Sequence, residues 1–210
     1  MQPPDAVELR VLGCLIEKQR TTPDVYPLSL NSLRLACNQA TNREPVVDYD
    51  ERTIRDALQR LAARRWTRLA SDAGSRATKY RHLLDETLEV APPQLSLLAV
   101  LMLRGAQTPG ELKARTERLF PFADLDQLQT ALDELAGRRL VMRLDRRPGQ
   151  KEERWIQILG GAQAEPSAGP TATAGTTSPE PPDRLAQIEE RLRRLEEQFA
   201  ALLSDNPPAG

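Results

Sequence analysis

Few residues in this 210-residue chain could do covalent or metal chemistry, and they are scattered. The single histidine, His82, closes the extended stretch Thr78-Lys-Tyr-Arg81 and reads as a surface residue. The two cysteines, Cys14 and Cys37, lie among apolar residues at helical spacing and read as inert core. A zinc site needs about four ligands at short characteristic spacings, and these residues do not supply one. No glycine-rich phosphate loop and no nucleophile–base pairing is visible. The sequence therefore predicts no catalytic residue, no cofactor, no metal and no enzyme activity.

A different chemistry is open to Arg52, Arg55 and Gln59. Arginine can donate two hydrogen bonds to one edge of guanine, and glutamine can pair in the same way with adenine. At their spacing the three share one face of a helix whose opposite face carries Ile54, Leu58 and Leu61. Arg76 and Lys79 follow in a turn and strand, where each could neutralise a phosphate and add salt-dependent affinity. From Arg43 to His82, ten Lys/Arg stand against six Asp/Glu, although the whole chain carries a net charge of only -1. Double-stranded DNA is thus a candidate partner, met through a local surface. Arg64, Arg65 and Arg68 have a structural reading as well, since cations favour the C-terminal end of a helix.

The elements that must position these residues come as an internal repeat. Glu8 to Pro23 aligns without a gap on Gln94 to Pro109, both apolar helices running into Thr-Pro. Ala57-Leu58-x-x-Leu61-Ala62-x-Arg64-Arg65-Trp66 aligns on Ala131-Leu132-x-x-Leu135-Ala136-x-Arg138-Arg139-Leu140, and Asp50 matches Asp124. The offset falls from 86 to 74 between the blocks, which places about 12 extra residues of the first copy in the stretch Asp24 to Asp48. Each copy predicts three helices. The first spans about Asp5 to Gln19 or Pro93 to Arg104, the second about Ser29 to Gln39 or Gly110 to Phe120, and the third starts at Asp50 or Asp124. Two β-prone segments joined by a Gly-containing turn follow in each copy: Trp66 to Leu69 with Thr78 to Arg81, and Leu140 to Leu144 with Arg154 to Ile158. Three helices and a hairpin make the winged-helix layout, in which helix 3 reads DNA and the hairpin is the wing. The expected fold is mainly α with small β-hairpins (α+β), as two tandem winged-helix domains at 1–90 and 91–161.

Beyond them, 162–182 has a linker composition of Ala, Gly, Pro, Thr, Ser and Glu. Leu185, Ile188, Leu192, Leu195, Phe199 and Leu202 then recur at heptad-seam spacing over 183–204, which predicts a coiled-coil-like helix and a homodimer, with 205–210 a frayed tail. Met1-Gln-Pro-Pro-Asp5 has no signal-peptide pattern, and no apolar run is long enough for a membrane span, so the expectation is a cytoplasmic protein without a membrane partner.

The stretches Gly13-Cys-Leu-Ile-Glu-Lys18, Thr21-Thr-Pro-Asp-Val-Tyr-Pro-Leu-Ser-Leu-Asn31, Ala36-Cys-Asn-Gln39 and Asn42-Arg-Glu-Pro45 resemble the YceH-like family of uncharacterised bacterial proteins. The resemblance covers about residues 5 to 160. It implies two tandem winged-helix domains and implies no activity, cofactor or ligand. These stretches coincide with the lengthened part of the first copy, where Asn31, Asn38, Asn42 and Arg43 could hydrogen-bond a phosphate or base edge, or simply shape turns. In the second copy the exposed side of helix 3 carries Asp126, Gln127, Thr130, Asp133 and Glu134, which would repel phosphates. Its hairpin is basic through Arg143, Arg146, Arg147 and Lys151, diluted by Glu152 and Glu153. Two readings follow: a DNA-binding protein of transcriptional or nucleoid type, or a scaffold that contacts other proteins, through the second domain in particular, as tandem winged helices do in chromosome-organising complexes.

Overall fold

A computed structural model describes residues 2–70, 78–146 and 152–161. The first repeat runs α1 (Ala6–Thr21), a 3-10 turn (Pro23–Val25), β1 (Leu28–Ser29), α2 (Leu30–Cys37), α3 (Glu51–Ala63), β2 (Thr67–Ala70) and β3 (Lys79–His82). A short helix, α4 (Leu84–Leu88), leads into α5 (Pro92–Arg104), α6 (Pro109–Thr116), α7 (Leu125–Gly137), β4 (Val141–Leu144) and β5 (Arg154–Gln157). The first sheet is antiparallel in the order β1-β3-β2, with Leu28 opposite Tyr80 and Thr67 opposite His82. The second pairs β4 with β5, Val141 opposite Gln157. Where the first repeat has β1, the second has one bridge, in which Gln107 and Trp155 exchange backbone hydrogen bonds of 3.0 and 2.8 Å. The architecture is α+β, and β1 and α4 are elements that the sequence pattern did not announce.

Helix starts follow local chemistry. Asp5, Ser29, Asp50, Thr108 and Asp124 each accept a backbone N–H of the first turn of the helix that follows. Asp5 with Glu8, and Thr108 with Glu111, close capping boxes. The aligned Thr-Pro pairs turn out to differ. Thr108-Pro109 opens α6, whereas Thr22-Pro23 opens only the 3-10 turn, and Ser29 caps α2. The extra length of the first repeat falls within the predicted stretch, on both sides of α2. Helix α1 has 16 residues against 13 in α5. Eight residues separate α1 from α2 but four separate α5 from α6, and thirteen separate α2 from α3 but eight separate α6 from α7.

The two repeats lie in one compact unit and share a core, because α1 packs along α5. The sequence predicts for α1 one apolar face, yet every residue from Glu8 to Ile16 is buried, since two layers cover the helix. The helices approach closely at Gly13: a Cβ there would come within 2.8 Å of Leu103 Cγ. Helices α2 and α3 pack on the other side of α1 as α6 and α7 pack on α5, with Ile54, Leu58 and Leu61 matched by Leu128, Leu132 and Leu135 in the core. The thiols of Cys14 and Cys37 are free and buried in that core. Among the described residues no helix is long and apolar enough to cross a membrane.

Candidate nucleic-acid interface

Helix α3 buries Ile54, Ala57, Leu58 and Leu61 and leaves Arg52, Arg55 and Gln59 in solvent. The side chain of Arg52 is 87% exposed. Its start is fixed by Asp50, whose carboxylate accepts the Thr53 N–H at 2.7 Å and is held below the usual carboxylate range by that bond. Its end is fixed by Arg65, whose positive φ turns the chain into β2. The strand returns beside the helix, so that Arg55 and Gln59 of α3, Arg68 and Leu69 of β2 and Tyr80 of β3 line one shallow groove of about 270 Å³. Lys79 is half-buried in β3, within the same sheet. Arg52, Arg55, Gln59 and the strands are therefore brought to one side of the first repeat. Arg76 lies outside the described residues.

The charge of this face is lower than the local count suggests. Arg52 lies 4.0 Å from Asp56 and Arg55 lies 3.9 Å from Glu51, loose pairs one helical turn apart that contribute little. Arg60 and Arg64 turn away from it: Arg60 meets Asp5 at 2.7 Å and Glu8 at 3.3 Å, and Arg64 meets Glu8 at 3.3 Å. Carboxylates of α1, distant in sequence, thus take up part of the surplus counted from Arg43 to His82.

Asn42 and Arg43 do not join this face. The Arg43 side chain is wholly buried. Its guanidinium donates to the carbonyls of Ala36 and Asn42, to Gln39 Oε1 and to both oxygens of Glu17, at 2.7 to 3.1 Å. All its N–H groups are engaged, so it pins the loop after α2 to α1 and has none left for a phosphate. Asn38 donates to Asp48 and to the Tyr49 carbonyl and accepts from the Tyr49 N–H, holding the same loop shut. Buried Arg10 adds two more bonds, to the carbonyls of Cys37 and Pro45. Asn42 is exposed, with a positive φ, and accepts from Arg104 of α5. Asn31 accepts from Arg34 at 3.2 Å.

His82 departs from the surface position that the sequence predicts. It is buried, not a surface residue, because β3 is the central strand and its last residue turns under α1. Its Nε2 lies 2.7 Å from Gln19 Oε1 and its Nδ1 accepts the Leu84 N–H at 3.3 Å.

In the second repeat Asp126, Gln127, Thr130, Asp133 and Glu134 all face solvent on α7. Arg143 and Arg146 meet Glu153 at 3.1 and 3.9 Å, which reduces the basic character of the described part of that hairpin. Arg147 and Lys151, like Leu185, Ile188, Leu192, Leu195, Phe199 and Leu202, lie outside the described residues. Leu69 and Tyr80 also contribute to the groove; adjacent Arg68 and Leu69 are both exposed, so period-two alternation along β2 does not single them out in the sequence.

Residues 5–150 match the model of the DUF480 family, described as proteins of unknown function. The chain is 47% identical over 199 residues to a UPF0502 protein of Geotalea uraniireducens, covering 93% of this chain and 88% of that one. It is 50% identical over 162 residues to a UPF0502 protein of Azotobacter vinelandii, covering 77% and 72%. With a UPF0502 protein of Pelobacter propionicus it shares 47% over 200 residues, covering 93% and 91%.

Proposed function

This chain belongs to the DUF480 family of proteins of unknown function, and from that premise we propose that it is a non-enzymatic, cytoplasmic protein of tandem winged-helix type that binds double-stranded DNA through its first repeat. The observation that carries this reading is the groove shared by α3 and the hairpin, with Arg55, Gln59 and Arg68 on its walls and Arg52 beside it. A helix with free hydrogen-bonding side chains next to a two-stranded hairpin can enter a major groove while the hairpin meets the backbone. The order of three helices and two strands, repeated with matched caps at Asp50 and Asp124, supports the winged-helix assignment. His82 and both cysteines belong to the packed interior, which leaves them structural roles. In this proposal the heptad segment 183–204 makes the homodimer and the acidic α7 faces protein.

The test is fluorescence anisotropy with a labelled duplex at about 50 and about 200 mM salt. A protein making several phosphate contacts loses orders of magnitude in affinity across that range. Arg52→Ala with Arg55→Ala should weaken binding about tenfold or more and lower the salt slope by about 1 to 2. Sedimentation of the full chain against a chain ending at 182 reads the dimer in the same samples. A protein that ignores duplex DNA at low salt leaves the second reading, a protein-interaction scaffold. That reading is favoured by the apolar part of the same groove, where Leu69 is 60% exposed.

A further inference from the structure

A second cleft, of about 420 Å³, lies between the two repeats, away from the α3 groove. The loop after α2 and the C-terminal end of α1 form one wall, and the ends of α5 and α6 form the other. We propose that this cleft binds a small organic phosphate.

The charges point to an anion. Lys18, Arg104, Arg115 and Arg118 line the cleft, and Glu17 is the one carboxylate among its lining residues. Glu17 is already committed: both of its oxygens accept from Arg43, and one lies 3.2 Å from Lys18. Arg115 reaches Glu111 only at 3.7 Å, and Glu111 also serves Arg154 at 3.1 Å and the Thr108 N–H at 2.9 Å. Arg104 is held by the neutral side-chain carbonyl of Asn42. Arg118 has no ion pair among the described residues. Burial pushes the Arg104 guanidinium below its ordinary range, and the nearby Arg115 and Arg43 add to that. Lys18, Arg104 and Arg115 each occupy the last turn of their helix, where the dipole favours a cation. That effect acts helix by helix, within one turn, and gives no reason for such cations to converge on a common void.

The rest of the cleft selects for an organic phosphate over a bare ion. Several guanidiniums with fixed planar forks suit the many acceptor positions of a phosphate. The hydroxyl of Thr41 and the amide of Gln39 add polar groups on the loop wall. Val100 and Leu103 are buried in the floor and Leu119 is partly buried, an apolar surface for the body of the ligand. The volume falls at the lower end of the range for small-molecule sites, about 300 to 1,000 Å³. The longer connections of the first repeat supply Thr22, Gln39, Thr41 and Asn42 to one wall, and the α6–α7 connection supplies Arg118 and Leu119 to the other.

The proposal does not depend on DNA binding at α3. It is tested on the full chain by isothermal titration with inorganic pyrophosphate, a nucleoside diphosphate and a sugar monophosphate at low ionic strength, with duplex DNA in a parallel arm. The expected result is saturable one-to-one binding of an organic phosphate, weakened at least tenfold by Arg115→Ala with Arg118→Ala and unchanged by Arg52→Ala with Arg55→Ala. Arg118 is exposed and Arg115 half-exposed, and thermal unfolding of the unliganded double variant checks that it folds. No saturable binding of any of the three probes overturns the proposal. So does binding that survives the Arg115/Arg118 change, or loss of duplex binding alone on that change, which would assign the cleft to a nucleic-acid backbone.

Discussion

His82 shows what burial does to a titratable side chain in this fold. Its imidazole accepts from the Leu84 N–H through Nδ1, so the proton sits on Nε2 and is donated to Gln19. Removal from water disfavours the imidazolium most; Asp85 at 3.4 Å opposes that and the positive charges of Arg81 and Arg20 reinforce it, leaving the pKa lowered to about 4. The unfolded chain binds the proton near 6.5 and the native state does not, so the stability from neutral His82 is complete above about 6.5 and is lost as pH falls toward 4. The loss is on the order of 3 kcal/mol. Because the chain has a single histidine, proton NMR of its ring reports this group alone. The ring should titrate near pH 4 in the folded protein; a midpoint near 6.5 would show that the site is wet. Arg43 illustrates the same cost met differently: its charge is kept, and every donor is matched to an acceptor.

At the scale of elements, α3 and α7 end alike. Trp66 N–H donates to the Leu61 carbonyl and Arg65 N–H to that of Ala62; Leu140 donates to Leu135 and Arg139 to Ala136. Each is a Schellman motif with an arginine in the left-handed position, φ 61° and 57°. The repeated Leu-Ala-x-Arg-Arg is thus a helix terminator as well as a charge cluster. An L residue with a Cβ costs about 1–2 kcal/mol there, which glycine avoids while adding chain entropy to the unfolded state. Arg139 is exposed, and Arg139→Gly should raise stability by up to about 1 kcal/mol, seen as a higher urea midpoint with an unchanged slope. A lower midpoint would mean that the arginine side chain contributes more than the backbone strain costs.

At the scale of the molecule, the α1–α5 contact turns two repeats into one body. Gly13 lets the helices meet: the side chains of Leu103 and Met102 fill the space that a Cβ would need. Leu103 Cγ and Cδ2, at 2.8 and 2.9 Å from such a Cβ, would have to shift, and Met102 Cβ at 3.2 Å leaves little further room. Gly13→Val should destabilise by about 1–3 kcal/mol, the usual cost of overpacking, with the urea midpoint falling accordingly. An unchanged midpoint would show that the interface yields. The same contact sets the walls of the cleft between the repeats, since α1 and α5 both end there.

What depends on neighbours along the chain can be read from the amino-acid order alone. The helix starts at Asp5, Asp50 and Asp124, the core stripe Ile54-Leu58-Leu61 and its copy, and the placing of two hairpins were all legible, because capping and 3.6-residue periodicity act within a few residues. The exposed face of Arg52, Arg55 and Gln59 follows from that periodicity. Tertiary structure decided which charges remain open. Glu8 takes Arg60 and Arg64, Glu17 takes Arg43, and Gln19 covers His82, each from α1 across a long sequence separation. It also decided that cations from α1, α5 and α6 share one cleft. Coulomb energy and desolvation depend on distance in space, and only the packed chain fixes those distances.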